Sequence, residues 1–371
     1  MVRDIKNENR LINVKKINFN IFKNIQPFSL KKKKKIIFFQ KEMNFLTNYH
    51  YKHSKDYKIL LKKFGYKNEN QSLENIPFLP TRLFKELDLI SINQNKIFKV
   101  LRSSGTYGSI PSKIYLDQKN AHNQIIVLSK IISSFLGEKR VPMLIIDQDP
   151  ILNDKKMFGA RSAAIFGFSI FGTHHTYLLN REGEIDYDKL NNFIKNFGDK
   201  PFFIFGFTSL IFEFLIKKLY KKKLKNVHWS NAIMLHGGGW KKMEQNKINN
   251  KKFKSILTEK LNIRKIYNYY GLVEQTGSIF IECQKCFCFI TSVFSDIIIR
   301  DKYFNVLEEG KKGFIQLMSL LPSSYPGHNI LTEDLGQIVN NDKCICADKG
   351  KAFLVFGRMP NAEIRGCSDT V

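Results

Sequence analysis

An α/β fold with a layered, mostly parallel sheet, followed by a smaller β-rich subdomain, is what this sequence predicts, and three observations predict it. After Pro77 and Pro80, short apolar runs of β type alternate with longer helical ones, the order that stacks helices on a parallel sheet. Past Phe280 the runs become short and are broken by turn residues, as in strands with tight connections. With 371 residues, 43% of them hydrophobic and 13% aromatic, the chain is long enough to bury a large core.

Residues 1–35 carry eleven Lys or Arg against two Asp or Glu and end in the run Lys31 to Lys35, which reads as a flexible basic arm. From Ile36 to Tyr66, Phe39, Met43, Leu46, Tyr49, Tyr57, Leu60, Leu61 and Phe64 recur at three- and four-residue steps. That spacing predicts two amphipathic helices at the start of an α/β core over 36–280. Within it, Met143 to Ile146, Pro201 to Phe207 and Asn231 to Leu235 read as buried strands, and Asn120 to Phe135 and Leu210 to Leu224 as helices. Ala163 to Leu179 is interrupted by Gly167, Gly172, His174 and His175, so it reads as buried strand and turn rather than as a membrane span. Cys286 to Ile290, Asp296 to Arg300, Gly313 to Met318, Gly336 to Val339 and Ala352 to Phe356 are the expected strands of a β-rich subdomain over 281–358. Residues 359–371 form a C-terminal arm.

Composition excludes several classes. No stretch of about 18 apolar residues is free of breakers, and the N-terminus lacks the order of a signal peptide, so no membrane span and a cytoplasmic protein are expected. Six cysteines without a secretory signal point to a reducing compartment. The net charge of +27 would suit nucleic acid. Its excess is lysine, however, in a chain also crowded with Asn, Ile and Phe, the bias of an A/T-rich genome, and the aromatic residues follow no stacking register. A solvated lysine surface outweighs a nucleic-acid site.

Four motifs carry chemistry. Arg102-Ser103-Ser104-Gly105-Thr106-Tyr107-Gly108-Ser109-Ile110-Pro111-Ser112-Lys113 follows the apolar stretch Ile97 to Leu101. Its glycines let backbone wrap an anion while hydroxyls, amides and Lys113 supply donors and charge, which suits a triphosphate. The segment lacks the Gly-Lys-Ser/Thr ending of a Walker loop, and an ordinary turn is the alternative. In Tyr267 to Gly277, the Tyr270-Gly271 turn can set a ring against a planar base, and Glu274 can hold Mg²⁺ bridging phosphates. Asp334, in Leu331-Thr332-Glu333-Asp334-Leu335-Gly336, can bind ribose hydroxyls or simply enter a hairpin. Gly357-Arg358 leaves a β run and can reach a phosphate.

In order and spacing these motifs resemble the adenylate-forming superfamily of acyl-CoA synthetases, beetle luciferases and peptide-synthetase adenylation domains. The resemblance implies that Ser103, Ser104, Gly105, Thr106, Gly108 and Lys113 grip ATP, that Tyr270 and Gly271 form the adenine platform, that Glu274 binds Mg²⁺, that Asp334 holds ribose and that Arg358 marks a hinge. Val273 stands where the superfamily usually has Thr. A closer resemblance runs from about Phe39 onward. Ile76-Pro77-Phe78-Leu79-Pro80-Thr81-Arg82-Leu83-Phe84-Lys85, the Arg102 to Thr106 loop, Leu235-His236-Gly237-Gly238-Gly239-Trp240-Lys241, Tyr270 to Gly277 and Glu363-Ile364-Arg365-Gly366-Cys367-Ser368 look like the acyl-protein synthetase family. This is the LuxE-type component of the fatty-acid reductase of luminous bacteria, with phenylacetate-CoA ligases as more distant relatives. Val273 is usual there, and Gly238 joins the nucleotide-binding positions. The resemblance implies that a fatty acid is activated with ATP, moved onto Cys367 near the C-terminus, and passed to an acyl reductase or another acyl-accepting protein. The lid domain of the wider superfamily is expected to be absent or vestigial, since the chain stops at Val371, just past the hinge.

Arg365 beside Cys367 can lower the thiol pKa; a tail cysteine without a role is the alternative. Cys283-x-x-Cys286 and Cys344-x-Cys346 read as ligands of a structural Zn²⁺, with free buried cysteines as the alternative and Cys288 as substitute or bystander. His174 and His175 either line an acyl pocket or satisfy a strand end. Two other functions stay open at this point: a CoA ligase for an aryl or short-chain acid, and a catalytically silent nucleotide- or nucleic-acid-binding protein.

Overall fold

A computed structural model describes residues 20–103, 110–150, 160–219, 229–240, 248–340, 342, 344–346 and 348–359. The chain opens with helices α1 (Asn20–Asn24), α2 (Lys32–His53) and α3 (Lys55–Lys63). On α2, Phe39, Met43, Leu46 and His50 are buried, a spacing of four, three and four that places them on one face. The two amphipathic helices are therefore where their periodicity puts them. The basic arm is corrected over 20–35, which is held rather than loose. Phe22 meets Phe294 with ring centroids 5.5 Å apart, Lys35 Nζ donates to Thr291 Oγ1 at 2.8 Å, and Lys130 Nζ donates to the Ile25 carbonyl at 2.9 Å. Apolar residues set among the lysines give this segment something to bury.

Strand β1 (Leu79–Pro80) and helix α4 (Leu83–Glu86) lead into a separate hairpin of β2 (Lys99–Arg102) and β3 (Lys113–Leu116). Then come α5 (Gln118–Leu136), β4 (Val141–Gln148), α6 (Ala160–Ser169), β5 (Gly172–Leu179), α7 (Tyr187–Phe197), β6 (Phe202–Phe207) and α8 (Thr208–Leu210). α8 runs on as wide helical turns over Ile211–Lys218; residues 220–224 of the expected helix lie outside the described residues. β7 (Ala232–Gly237), α9 (Asn250–Leu261) and β8 (Lys265–Tyr270) complete the parallel part. The run Ala163 to Leu179 is a helix end followed by strand β5: its second half is strand, as read, and its first half is corrected to helix.

The order β5-β4-β6-β7-β8 is parallel throughout. Because side chains alternate across a strand, Phe203, Phe205 and Phe207 enter one core with α2, α5 and α6, while Phe202 and Ile204 enter another with α7 and α9. Burial on both faces is why this strand reads as an unbroken apolar run. From β8 the sheet continues antiparallel through β9 (Phe280–Glu282), β10 (Phe289–Ile290), β14 (Ala352–Arg358), β13 (Asn329–Val339), β12 (Lys312–Ser319) and β11 (Ser295–Arg300). With β1 parallel to β13, twelve described strands share one sheet. Two strand expectations change here. Cys286 to Cys288 form a turn before β10, and Asp334 sits within β13 rather than at a hairpin entry. No helix among the described residues is long and apolar enough to cross a membrane.

Candidate active site

Ligands of open α/β sheets bind beyond the carboxyl ends of the parallel strands. At that edge β7 stops at Gly237 and β8 at Tyr270. Gly238 turns the chain with φ +80°, and a Cβ there would come within 2.7 Å of Phe207 Cδ1, so only glycine fits both the angle and the space. After Tyr270 and Gly271 comes a single helical turn, Val273–Gln275, that carries Glu274. The corner is fixed from behind. Tyr325 donates its hydroxyl to the Glu274 carbonyl at 2.8 Å, and Gln275 Nε2 donates to the Leu317 and Gly327 carbonyls at 3.1 and 2.9 Å. Gly277 follows at φ +87°, where a Cβ would sit 2.8 Å from the Gln124 backbone of α5. Tyr325 carries no motif in the sequence, and Gln275 stands in the Tyr270 to Gly277 block without a role assigned to it; only the fold reveals their part in holding the corner.

Glu274 is 6% exposed. Burial raises the pKa of its carboxyl; the Ser112 hydroxyl and the Arg358 charge oppose the rise, and Asp334 adds to it. No ion pair to Glu274 forms among the described residues. Burying a carboxylate costs several kcal/mol, the Arg358 charge offsets that only in part since the net shift is still upward, and a divalent cation would supply further positive charge. The acidic, oxygen-only donor set fits Mg²⁺.

The hydroxyl-rich loop closes next to this carboxyl. Ser103 N–H donates to the Ser112 carbonyl at 3.1 Å, and Ser112 N–H donates to Ser103 Oγ at 2.8 Å. Along β3 alternation turns Lys113 and Tyr115 outward, where they donate to Asp88 Oδ1 at 3.1 and 2.7 Å, and turns Ile114 and Leu116 into the core. Ser112, fully buried, precedes Lys113 and shares the inward side. Its Oγ meets no partner in strict hydrogen-bond geometry, yet it lies close enough to Glu274 to lower that pKa. The strand thus presents Ser112 to the carboxyl and Lys113 to Asp88. As one more small hydroxyl residue in a loop full of them, Ser112 gave no signal of its own in the sequence.

Tyr270 donates its hydroxyl to Asp334 Oδ2 at 2.6 Å. Burial, then the Asp334 charge, raise the phenol pKa well above its ordinary value, so the proton stays on Tyr270. The ring packs near Phe280, Phe289 and Phe353. Asp334 is opposite Arg358 across β13 and β14, with Nε 3.8 Å from Oδ1. Ser103, Ser112, Tyr270, Gly271, Glu274, Asp334 and Arg358 therefore form one connected group. Ser104, Gly105, Thr106, Gly108 and Cys367 lie outside the described residues. His174 and His175 are exposed on β5, at the edge of the sheet, and His175 Nε2 bonds the Ser169 carbonyl at 2.7 Å, which is the strand-end alternative. Away from the acidic group, Cys283, Cys286, Cys344 and Cys346 come together with all four sulfurs within 4.8 Å of one another.

The layered sheet, with this acidic group at its carboxyl edge, has the fold of adenylate-forming enzymes. A solved 2-hydroxyisobutyryl-CoA ligase, captured in the postadenylation state with 2-HIB-AMP, superposes with a TM-score of 0.68 at 14% identity, covering 90% of this chain and 69% of that one. The same ligase in an open conformation with 2-HIB-AMP and CoA gives a TM-score of 0.67 at 14% identity, covering 90% and 77%. No curated protein matches the sequence. The model of the family described as acyl-protein synthetase, LuxE, matches residues 1–371, and the chain belongs to that family.

Proposed function

We propose that this enzyme activates a fatty acid with ATP and carries the acyl group on its own Cys367 to an acyl-accepting protein, an acyl reductase by preference. The observation that supports it best is the buried Glu274, its pKa raised by burial, beside the base of the hydroxyl-rich loop and within the electrostatic reach of Asp334 and Arg358. A carboxylic acid is a poor electrophile because oxide would have to leave. In the first step a carboxylate oxygen attacks the α-phosphorus of ATP, the bond to the bridging oxygen breaks, and pyrophosphate departs. In the second the Cys367 thiolate attacks the acyl carbon and AMP departs, leaving a thioester. Mg²⁺, when bound, spreads the charge of the phosphate oxygens.

The residues of the chain supply placement and field. Glu274 and Ser112 offer oxygens on a fixed corner, so little reorganisation is needed as charge develops. Asp334, oriented by the Tyr270 hydroxyl, is set to accept from ribose hydroxyls. Arg358, across the strand pair from Asp334, places a cation beside it. Ser103, Ser104, Gly105, Thr106 and Gly108 wrap the phosphates in this reading, and Lys113 must leave Asp88 to join them.

ATP–pyrophosphate exchange with straight-chain fatty acids, aryl acids and no acid tests the proposal. Exchange is expected only when an acid is present, and faster with the fatty acids. No acid-dependent exchange with any of them would overturn it. Exchange restricted to aryl acids, with a CoA thioester as product, would move the assignment to a CoA ligase.

A further inference from the structure

We propose that Cys283, Cys286, Cys344 and Cys346 bind one Zn²⁺, and that this ion pins the strands carrying Asp334 and Arg358 in register. Two short turns, about 60 residues apart in sequence, supply the ligands. Cys283 Sγ lies 3.6 Å from Cys344 Sγ, and Cys286 Sγ lies 3.5 Å from Cys346 Sγ. All four sulfurs fall within 4.8 Å of one another. A tetrahedral Zn²⁺ with bonds of about 2.3 Å sets its sulfurs about 3.8 Å apart, so the thiols already stand near the corners such an ion needs. Oxygen-seeking Mg²⁺ or Ca²⁺ would not choose four thiolates.

The backbone is arranged for the same purpose. Phe287 N–H donates to the Cys283 carbonyl at 3.0 Å and Cys283 N–H to the Cys288 carbonyl at 2.9 Å, while Phe287 adopts φ +56°. This tight turn points Cys283 and Cys286 the same way. On the other side Lys349 N–H donates to the Cys346 carbonyl at 3.0 Å, which anchors Cys346 two residues after Cys344. Cys288 is turned aside, with its Sγ on the Cys286 carbonyl at 3.4 Å, and so is a bystander.

Topology gives the ion its consequence. The first turn joins β9 to β10 and the second precedes β14; β10 pairs with β14, and β14 with β13. β10 has only two residues, Phe289 and Ile290, too few to fix its neighbours through hydrogen bonds alone. A metal at this end ties β9, β10 and β14 together. Seven residues along β14, at its other end, Arg358 stands opposite Asp334. The ion is thus structural and remote from the acidic group, and it acts on that group only through strand register. This inference rests on the cysteine geometry and not on the acyl-transfer reading.

The full-length protein, purified without chelators under reducing conditions, is the material for the test. Elemental analysis is expected to give one zinc per chain, falling to none in a Cys344→Ser/Cys346→Ser variant. Should that variant fail to fold, refolding the wild-type chain with Co²⁺ keeps the question open to measurement. It is expected to give the intense visible bands and sulfur charge transfer of tetrahedral thiolate cobalt. A wild-type chain with no metal and free thiols, iron in place of zinc, two disulfides by intact mass, or octahedral cobalt spectra would each overturn the proposal.

Discussion

Glu274→Gln is expected to slow acid-dependent ATP–pyrophosphate exchange on the order of 100-fold or more, and also to raise the thermal midpoint of the ligand-free protein. The two effects share a cause. The carboxylate is buried at 6% exposure with no ion pair among the described residues, so the fold disfavours its charged form. Its pKa is raised, chiefly by burial, which fixes the sign. The native state holds the proton more tightly than the unfolded chain, and stability falls as pH rises through the shifted pKa. At neutral pH the amide removes that penalty at nearly constant shape, while losing the negative charge a divalent cation requires. Melting curves with and without MgATP check both halves. The wild type should gain stability on adding MgATP and the variant should gain little. A variant that exchanges normally would remove Glu274 from the chemistry.

Cys367→Ser is expected to abolish the acyl label that neutral hydroxylamine removes from the protein. Thioesters yield to hydroxylamine at neutral pH and oxygen esters resist it, so the readout separates a thiol carrier from any other attachment. With no thiolate at 367 the activated acid stays at the adenylate stage, and acyl-AMP should accumulate on the enzyme to about one equivalent. Labelled fatty acid with ATP, followed by gel autoradiography before and after hydroxylamine, makes the measurement. Retention of the sensitive label in the variant would place the thioester on another cysteine.

The parallel half of the fold was legible because its strands are buried on both faces. Phe202 to Phe207 is wholly buried, and so appears in the sequence as one apolar run. The run from Ala163 to Leu179 was half legible: its second half is strand β5, as read, while its first half is helix α6. The edge strand exposes His174 and His175, with His174 at φ +47°, which blurs both continuity and alternation. β13 was half seen. Ile338 and its neighbours read as strand, whereas Thr332 to Asp334 read as a turn because polar residues stand where the strand borders the acidic group. In that group the charged and aromatic members, Tyr270, Glu274, Asp334 and Arg358, stood out by type and spacing. Ser112 did not, since strand alternation decides which way it points, and Gln275 stood inside the family-like block with no sign that its amide would pair with distant backbone. The cysteine spacings suggested ligands, but only the sheet brings two turns about 60 residues apart face to face.

A crystal structure with Mg²⁺ and an ATP analogue methylene-bridged between the α- and β-phosphates tests the convergence of these residues most directly. The ribose hydroxyls are expected on Asp334, the phosphates beside Ser103 and Ser112, and the metal about 2.1 Å from a Glu274 oxygen. A nucleotide bound elsewhere, with Glu274 and Asp334 both untouched, would contradict the account.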